Sequence, residues 1–204
     1  MSTEKLLIND RQKVRDAFGK SEKDVLADIE IVRNWLKNQP HLPEITSMIL
    51  VVLFLSLPGD ILIESFLITN KFSIERTKQK LDMYYTIRSF IPEMYENKNP
   101  SLPHMQETFN IVYNFPLPKL TKDLYRVIVL KTFGEPEAFD VDNFLAHQMN
   151  IAEIRLQEDV ALGDVYLIDY ENLKMGHVVK TTPMHMRRAA TVLEVSFAPA
   201  VKQL

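Results

Sequence analysis

The chain has 204 residues, no Cys, a hydrophobic share of 46%, a charged share of 25% and a formal net charge of −3. This composition lies in the globular range and excludes global disorder, and without Cys there is no disulfide scaffold, thiolate zinc site or Cys nucleophile. The slight negative charge gives no whole-chain case for nucleic acid as a partner.

The charged N-terminus lacks the apolar centre of a secretory signal. The first clear predicted helix covers residues 21–37, where Val25, Ile29, Val32 and Leu36 recur at three- and four-residue steps. Asn38-Gln39-Pro40 ends it, because the residue before Pro avoids helical angles. An apolar run follows at residues 48–57 (MILVVLFLSL). Its ten residues fall short of the roughly 20 that span a bilayer. It breaks the amphipathic rule its neighbours obey, and residues 47–58 read as an atypical insert. A second helix is expected over residues 60–67. A third opens at Ser73, a candidate N-cap with Glu75 in the first turn. That helix carries Thr77, Leu81, Tyr84 and Arg88 on one stripe and stops at Pro92.

Residues 97–118 hold Pro100, Pro103, Pro116 and Pro118 and read as a linker with one short helix near 105–112. The pattern then changes. Residues 126–130 (RVIVL) are a β-branched run, hence a strand. Asp140 is placed to cap a helix to about residue 157, with Leu145, Met149, Ala152 and Leu156 on one face. A second strand covers residues 165–168 (VYLI), and strand–helix–strand implies two parallel strands. Thr182 caps a last helix with Pro183 at its first position, followed by Met186, Ala190 and Leu193. A third strand should come next, but the sequence ends eleven residues after Leu193. The sheet is therefore expected to stop at two strands with an open edge. The expected organisation is α/β: a helical domain over residues 1–96, a Pro-rich linker over 97–118 and a partial α/β domain over 119–204.

Enzyme signatures are scarce. Five Gly build no phosphate loop and no G-x-S-x-G elbow. Of the five His, only His177 and His185 lie near each other, at a spacing that no metal motif uses. Asp169 and Glu171 end a strand where α/β enzymes place acids, but no nucleophile accompanies them. They read instead as a turn-satisfying Asp and a solvated Glu. No catalytic residue, metal or cofactor is assigned.

Residues 66–95 (FLITNKFSIERTKQKLDMYYTIRSFIPEMY) and 117–144 (LPKLTKDLYRVIVLKTFGEPEAFDVDNF), with the passage from Asp169 to Pro183, resemble the CRAL-TRIO lipid-binding family. The branch is that of α-tocopherol transfer protein and cellular retinaldehyde-binding protein. The resemblance implies a helical bundle followed by a lipid-binding domain, and a carrier of a tocopherol-, retinoid- or phosphoinositide-like ligand. It implies Leu145, Gln148, Met149 and Ala152 facing the ligand, with Val165 and Leu167 beneath it. It also implies peripheral contact with phosphatidylinositol bisphosphate membranes, with Lys71, Arg187 and Arg188 as headgroup contacts and Lys202 as a weaker addition. The expected location is cytoplasmic. Residues 47–58 have no counterpart in the family. The family's gate helix and C-terminal cap are also missing, so the chain reads as C-terminally truncated. The alternative is a truncated isoform or gene-model fragment that binds no lipid and serves as a protein-interaction module. The ligand and the oligomeric state stay open.

Overall fold

The computed structural model describes residues 7–42, 59–92, 95, 98–196 and 201–203. The apolar run at residues 47–58 lies outside them. A short helix α1 (Arg11–Asp16) precedes α2 (Glu22–Lys37), which a capping box fixes. The Ser21 hydroxyl accepts from the Asp24 backbone N–H, and the Asp24 carboxylate accepts from the Ser21 N–H. Val25, Ile29, Val32 and Leu36 are buried, as their spacing requires. The next two helices are α3 (Asp60–Thr69) and α4 (Ile74–Phe90). Ser73 occupies the N-cap position of α4, but its hydroxyl makes no capping bond.

Lys71 and Phe72, between α3 and α4, both have positive φ (55° and 57°). The Phe72 N–H donates to Leu67 O and the Lys71 N–H to Ile68 O. This is a Schellman closure built without Gly, and the burial of Phe72 against Phe18 holds it in place.

The stretch expected as a linker is instead ordered structure. It forms α5 (Pro103–Ile111) and leads directly into a nine-residue strand, β1 (Val112–Leu120). Strands β2 (Tyr125–Thr132), β3 (Gly163–Asp169) and β4 (Val201–Gln203) complete a sheet of order β1-β2-β3-β4. β1 is antiparallel to β2, and β2, β3 and β4 are mutually parallel. Pro116 and Pro118 are tolerated because β1 is the edge strand, where a missing N–H breaks no ladder bond. The expected two-strand sheet is likewise corrected, since the chain after the last helix returns to pair with β3.

Helix α6 (Val141–Glu158) crosses from β2 to β3, with the Asp140 carboxylate accepting from the Asn143 N–H. Between β3 and β4 lie α7 (Met175–Lys180) and α8 (Pro183–Ser196). Thr182 and His185 cap the start of α8 reciprocally through side chain and backbone.

One hydrophobic cluster spans the proposed domain division. Ile63, Phe66, Leu67, Leu81 and Tyr84 of the helical unit pack in the same core as Val141, Leu145, Met149 and Leu156 of α6. The chain is a mixed helix and strand fold in which α3 is covered by α2 on one side and α6 on another.

Candidate functional site

Most apolar side chains of the helical unit are spent on that core. Among the described residues, Leu26 and Ile31 of α2, Ile61 of α3, and Met83 and Phe90 of α4 are exposed, and the last two lie on one helix. Met83 and Phe90 of α4 are 37% and 79% exposed. They stand seven residues apart, two helical turns, and so share a face. Arg76 and Gln79, also exposed, continue the same stripe toward the N-terminal end of α4. The opposite face is buried through Thr77, Leu81, Tyr84 and Ile87. Helix α4 therefore has a core face and a second face that is apolar at its C-terminal half and polar at its N-terminal half.

Between α3 and α6 lies a small open cleft whose walls include Ser65, Thr69, Ala152, Arg155, Asp159 and Asp164. Its charged floor belongs to a buried ion network. Arg126 is fully buried. It donates through Nε and Nη2 to the Asp159 carboxylate at 2.6–3.1 Å, and through Nη1 to the Leu117 and Pro118 carbonyls, both at 2.7 Å. Arg155 donates to Asp159 at 3.0 Å and to both oxygens of Asp164 at 2.5 and 3.0 Å. Burial works against the charge on Arg155, and the Asp164 and Asp159 carboxylates outweigh it, so its pKa is raised. Two cations and two anions close on themselves, which suits a structural joint. Among the residues that sequence reasoning missed, Arg126 carried one signal, a cation inside a β-branched run.

The expected lipid-contact residues do not converge on one cavity. Leu145, Met149 and Ala152 are buried, the first two in the core shared with the helical unit. Gln148 accepts from the Asn114 side chain of β1. Its Nε2 and the Asn114 Oδ1 are buried without partners. Strand alternation sets Leu167 on the face opposite Asp164, which α6 engages through Arg155. Val165 shares that face and is buried while Leu167 is 53% exposed, so alternation does not separate the two. Of the six expected lipid contacts, Ala152 alone is on the α3–α6 cleft wall.

The expected headgroup contacts are also dispersed. Lys71 is exposed on the α3–α4 turn, Arg187 is exposed on α8, and Arg188 lies 3.5 Å from Asp142. Lys202 falls in β4, and its side chain, like that of Leu193, lies outside the described residues.

His177 is buried and structural. Its Nδ1 accepts from the Lys174 N–H, and its Nε2 donates to Gly134 O at 3.1 Å. Beside it Gly176 abuts Pro136, where an added Cβ would come within 2.6 Å. Asp169 accepts from the Glu171 N–H, as a turn residue does, but both carboxylates also bind Lys131 Nζ at 2.6 and 2.8 Å. Glu171 is therefore paired as well as solvated. These bonds hold Asp169 below the usual carboxylate range and raise Lys131. Among the described residues no group of three or more His, Asp or Glu is placed to hold a metal ion, and no helix is long and apolar enough to cross a membrane.

Residues 56–105 match a family described as Pinta-like, UBA domain. No curated protein matches the chain. The match covers α3, α4 and the start of α5. It overturns the CRAL-TRIO identification, because residues 66–95, the first segment behind that resemblance, fall inside the UBA-type match. The lipid-binding, lipid-transfer and phosphatidylinositol bisphosphate roles that rested on the resemblance are withdrawn with it.

Proposed function

We propose that this chain is a protein-binding module, not an enzyme, and that it docks a ubiquitin-class partner on the outer stripe of α4. The supporting observation is the coincidence of the UBA-type match with that stripe. A ubiquitin-associated domain points to a protein partner. Within the matched residues, Met83 and Phe90 are large apolar side chains left in water beside Arg76. Aromatic residues, Met and Arg are the types enriched at interfaces, where a few anchors carry most of the binding energy. Helix α4 contacts α2, α3 and α8, and the Met83–Phe90 stripe stays exposed beside those contacts. A surface this small fits a weak, transient complex. No cofactor enters this reading.

The test is a titration of the ¹⁵N-labelled full chain with ubiquitin. Saturable shifts at amides near Met83 and Phe90, weakened at least roughly tenfold by Phe90→Ser, are the expected result. Absence of α4 shifts at millimolar ubiquitin would refute it.

A further inference from the structure

We infer that residues 8–16 are a two-ended strap that couples α3 to the buried ion network of the sheet. One end is seated against the edge strand β1 and the end of α6. The Ile8 N–H donates to Pro118 O at 2.8 Å. Asn9 Nδ2 donates to Glu158 O, the last carbonyl of α6, at 2.6 Å. Asn9 Oδ1 accepts from Arg126 Nη2 at 2.7 Å and from the Val160 N–H at 3.3 Å. A single amide thus completes the hydrogen bonding of the fully buried guanidinium and closes the end of α6.

The other end sits on the helical unit. Glu64 of α3 is 3% exposed. Arg11 Nη1 and Arg15 Nε, both from α1, donate to its two oxygens at 2.5 and 2.7 Å. Between those two cations, Val14 is fully buried in the common core. The spacing is what one helical turn requires. Arg11, Val14 and Arg15 stand at i, i+3 and i+4, so one face of α1 delivers both charges and the apolar anchor. A six-residue helix does not hold its shape alone. It keeps its form only while both ends are docked, so loosening one end loosens the other. The strap lies outside the UBA-type match, and the inference does not depend on which partner α4 takes.

Native-state hydrogen exchange on the full chain tests this. Asn9→Ala touches nothing on α3, yet is expected to speed exchange roughly tenfold at the amides of residues 63–68 as well as at Val160, the factor one lost bond to a charged group gives. Gln148→Leu, which orphans Asn114 and touches nothing on the strap, is the control and is expected to speed exchange around Asn114 and Gln148 without the same response in residues 63–68. If Asn9→Ala fails to fold, Arg11→Gln reads the strap from its exposed end, with faster exchange expected at Val160 and residues 125–128. Effects confined to the mutated end would overturn the inference. So would an equal response of α3 to Gln148→Leu, because the shared core would then carry the coupling.

Discussion

Helix α6 covers two polar sites on the same sheet, and they are built by opposite rules. At its C-terminal end Arg126, Arg155, Asp159 and Asp164 are each buried, and each has its charge answered at hydrogen-bond distance. Two turns back, Asn114 and Gln148 share one hydrogen bond and leave one acceptor and one donor buried without partners. Hydrophobicity does not distinguish these sites. The difference is completeness. A closed network fixes register between helix and strand, whereas a half-satisfied pair leaves desolvation uncompensated. The first locks the joint among strap, helix and sheet. The second is a place where the interface tolerates repacking.

The largest effect should come from breaking the closed network. Arg126→Leu leaves Asp159 buried beside one remaining cation and takes the guanidinium donor from the Leu117 and Pro118 carbonyls, of which Pro118 O keeps the Ile8 N–H. We expect a loss of about 3–5 kcal/mol in denaturant unfolding, the range for a buried pair stripped of one partner. A smaller and reversible effect is expected at the open pair. Gln148→Leu alone should cost about 1–3 kcal/mol because it orphans Asn114 completely. Adding Asn114→Val should return most of that loss, since both polar groups are then gone. A double-mutant cycle in urea measures the recovery. If the double variant is as unstable as the single one, the two sites do not differ as described.

The parts that sequence patterning made legible are those decided within one turn. Asp140 and Thr182 mark helix starts by local capping chemistry, and α6 and α8 begin beside them, whereas Ser73 takes the N-cap position of α4 without making the bond. The parallel pairing of β2 and β3 followed from the helix between them. Strand β1 was hidden because Pro116 and Pro118 signal a loop until the sheet order makes them an edge. The ion network was hidden because Arg126 and Asp159 are 33 positions apart. The i, i+4 spacing of Arg155 and Asp159 looks the same on a solvated helix face as on a buried one. The α4 stripe escaped notice for the converse reason. Thr77, Leu81 and Tyr84 mark the core stripe in the sequence, but spacing does not tell whether Met83 and Phe90 pack on a neighbouring element or stay exposed.

Two finer tests separate burial from pairing as the cause. His147, also on α6, is buried in an edge-to-face contact with Phe109, ring centroids 4.9 Å apart, and burial lowers its pKa. The neutral ring is then the folded form. Its contribution is fully present above the ordinary imidazole value of about 6.5 and is lost as pH falls through the lower folded value. Unfolding midpoints should drop as pH falls from about 6.5 through the lower folded value, and His147→Gln should flatten that slope.

The smallest effect belongs to Lys131. It binds two carboxylates, as Arg155 does, at distances as short. The difference is water. The Asp169 and Glu171 side chains are 41% and 71% exposed, against 4% and 7% for Asp159 and Asp164. In water the Coulomb gain is screened and the ordering of long side chains offsets the rest. Lys131→Ala should therefore leave the unfolding midpoint where it is, at low and at high salt. A clear loss would mean that pair geometry alone sets the worth of these bridges. The contrast between the two ends of the sheet would then owe nothing to burial.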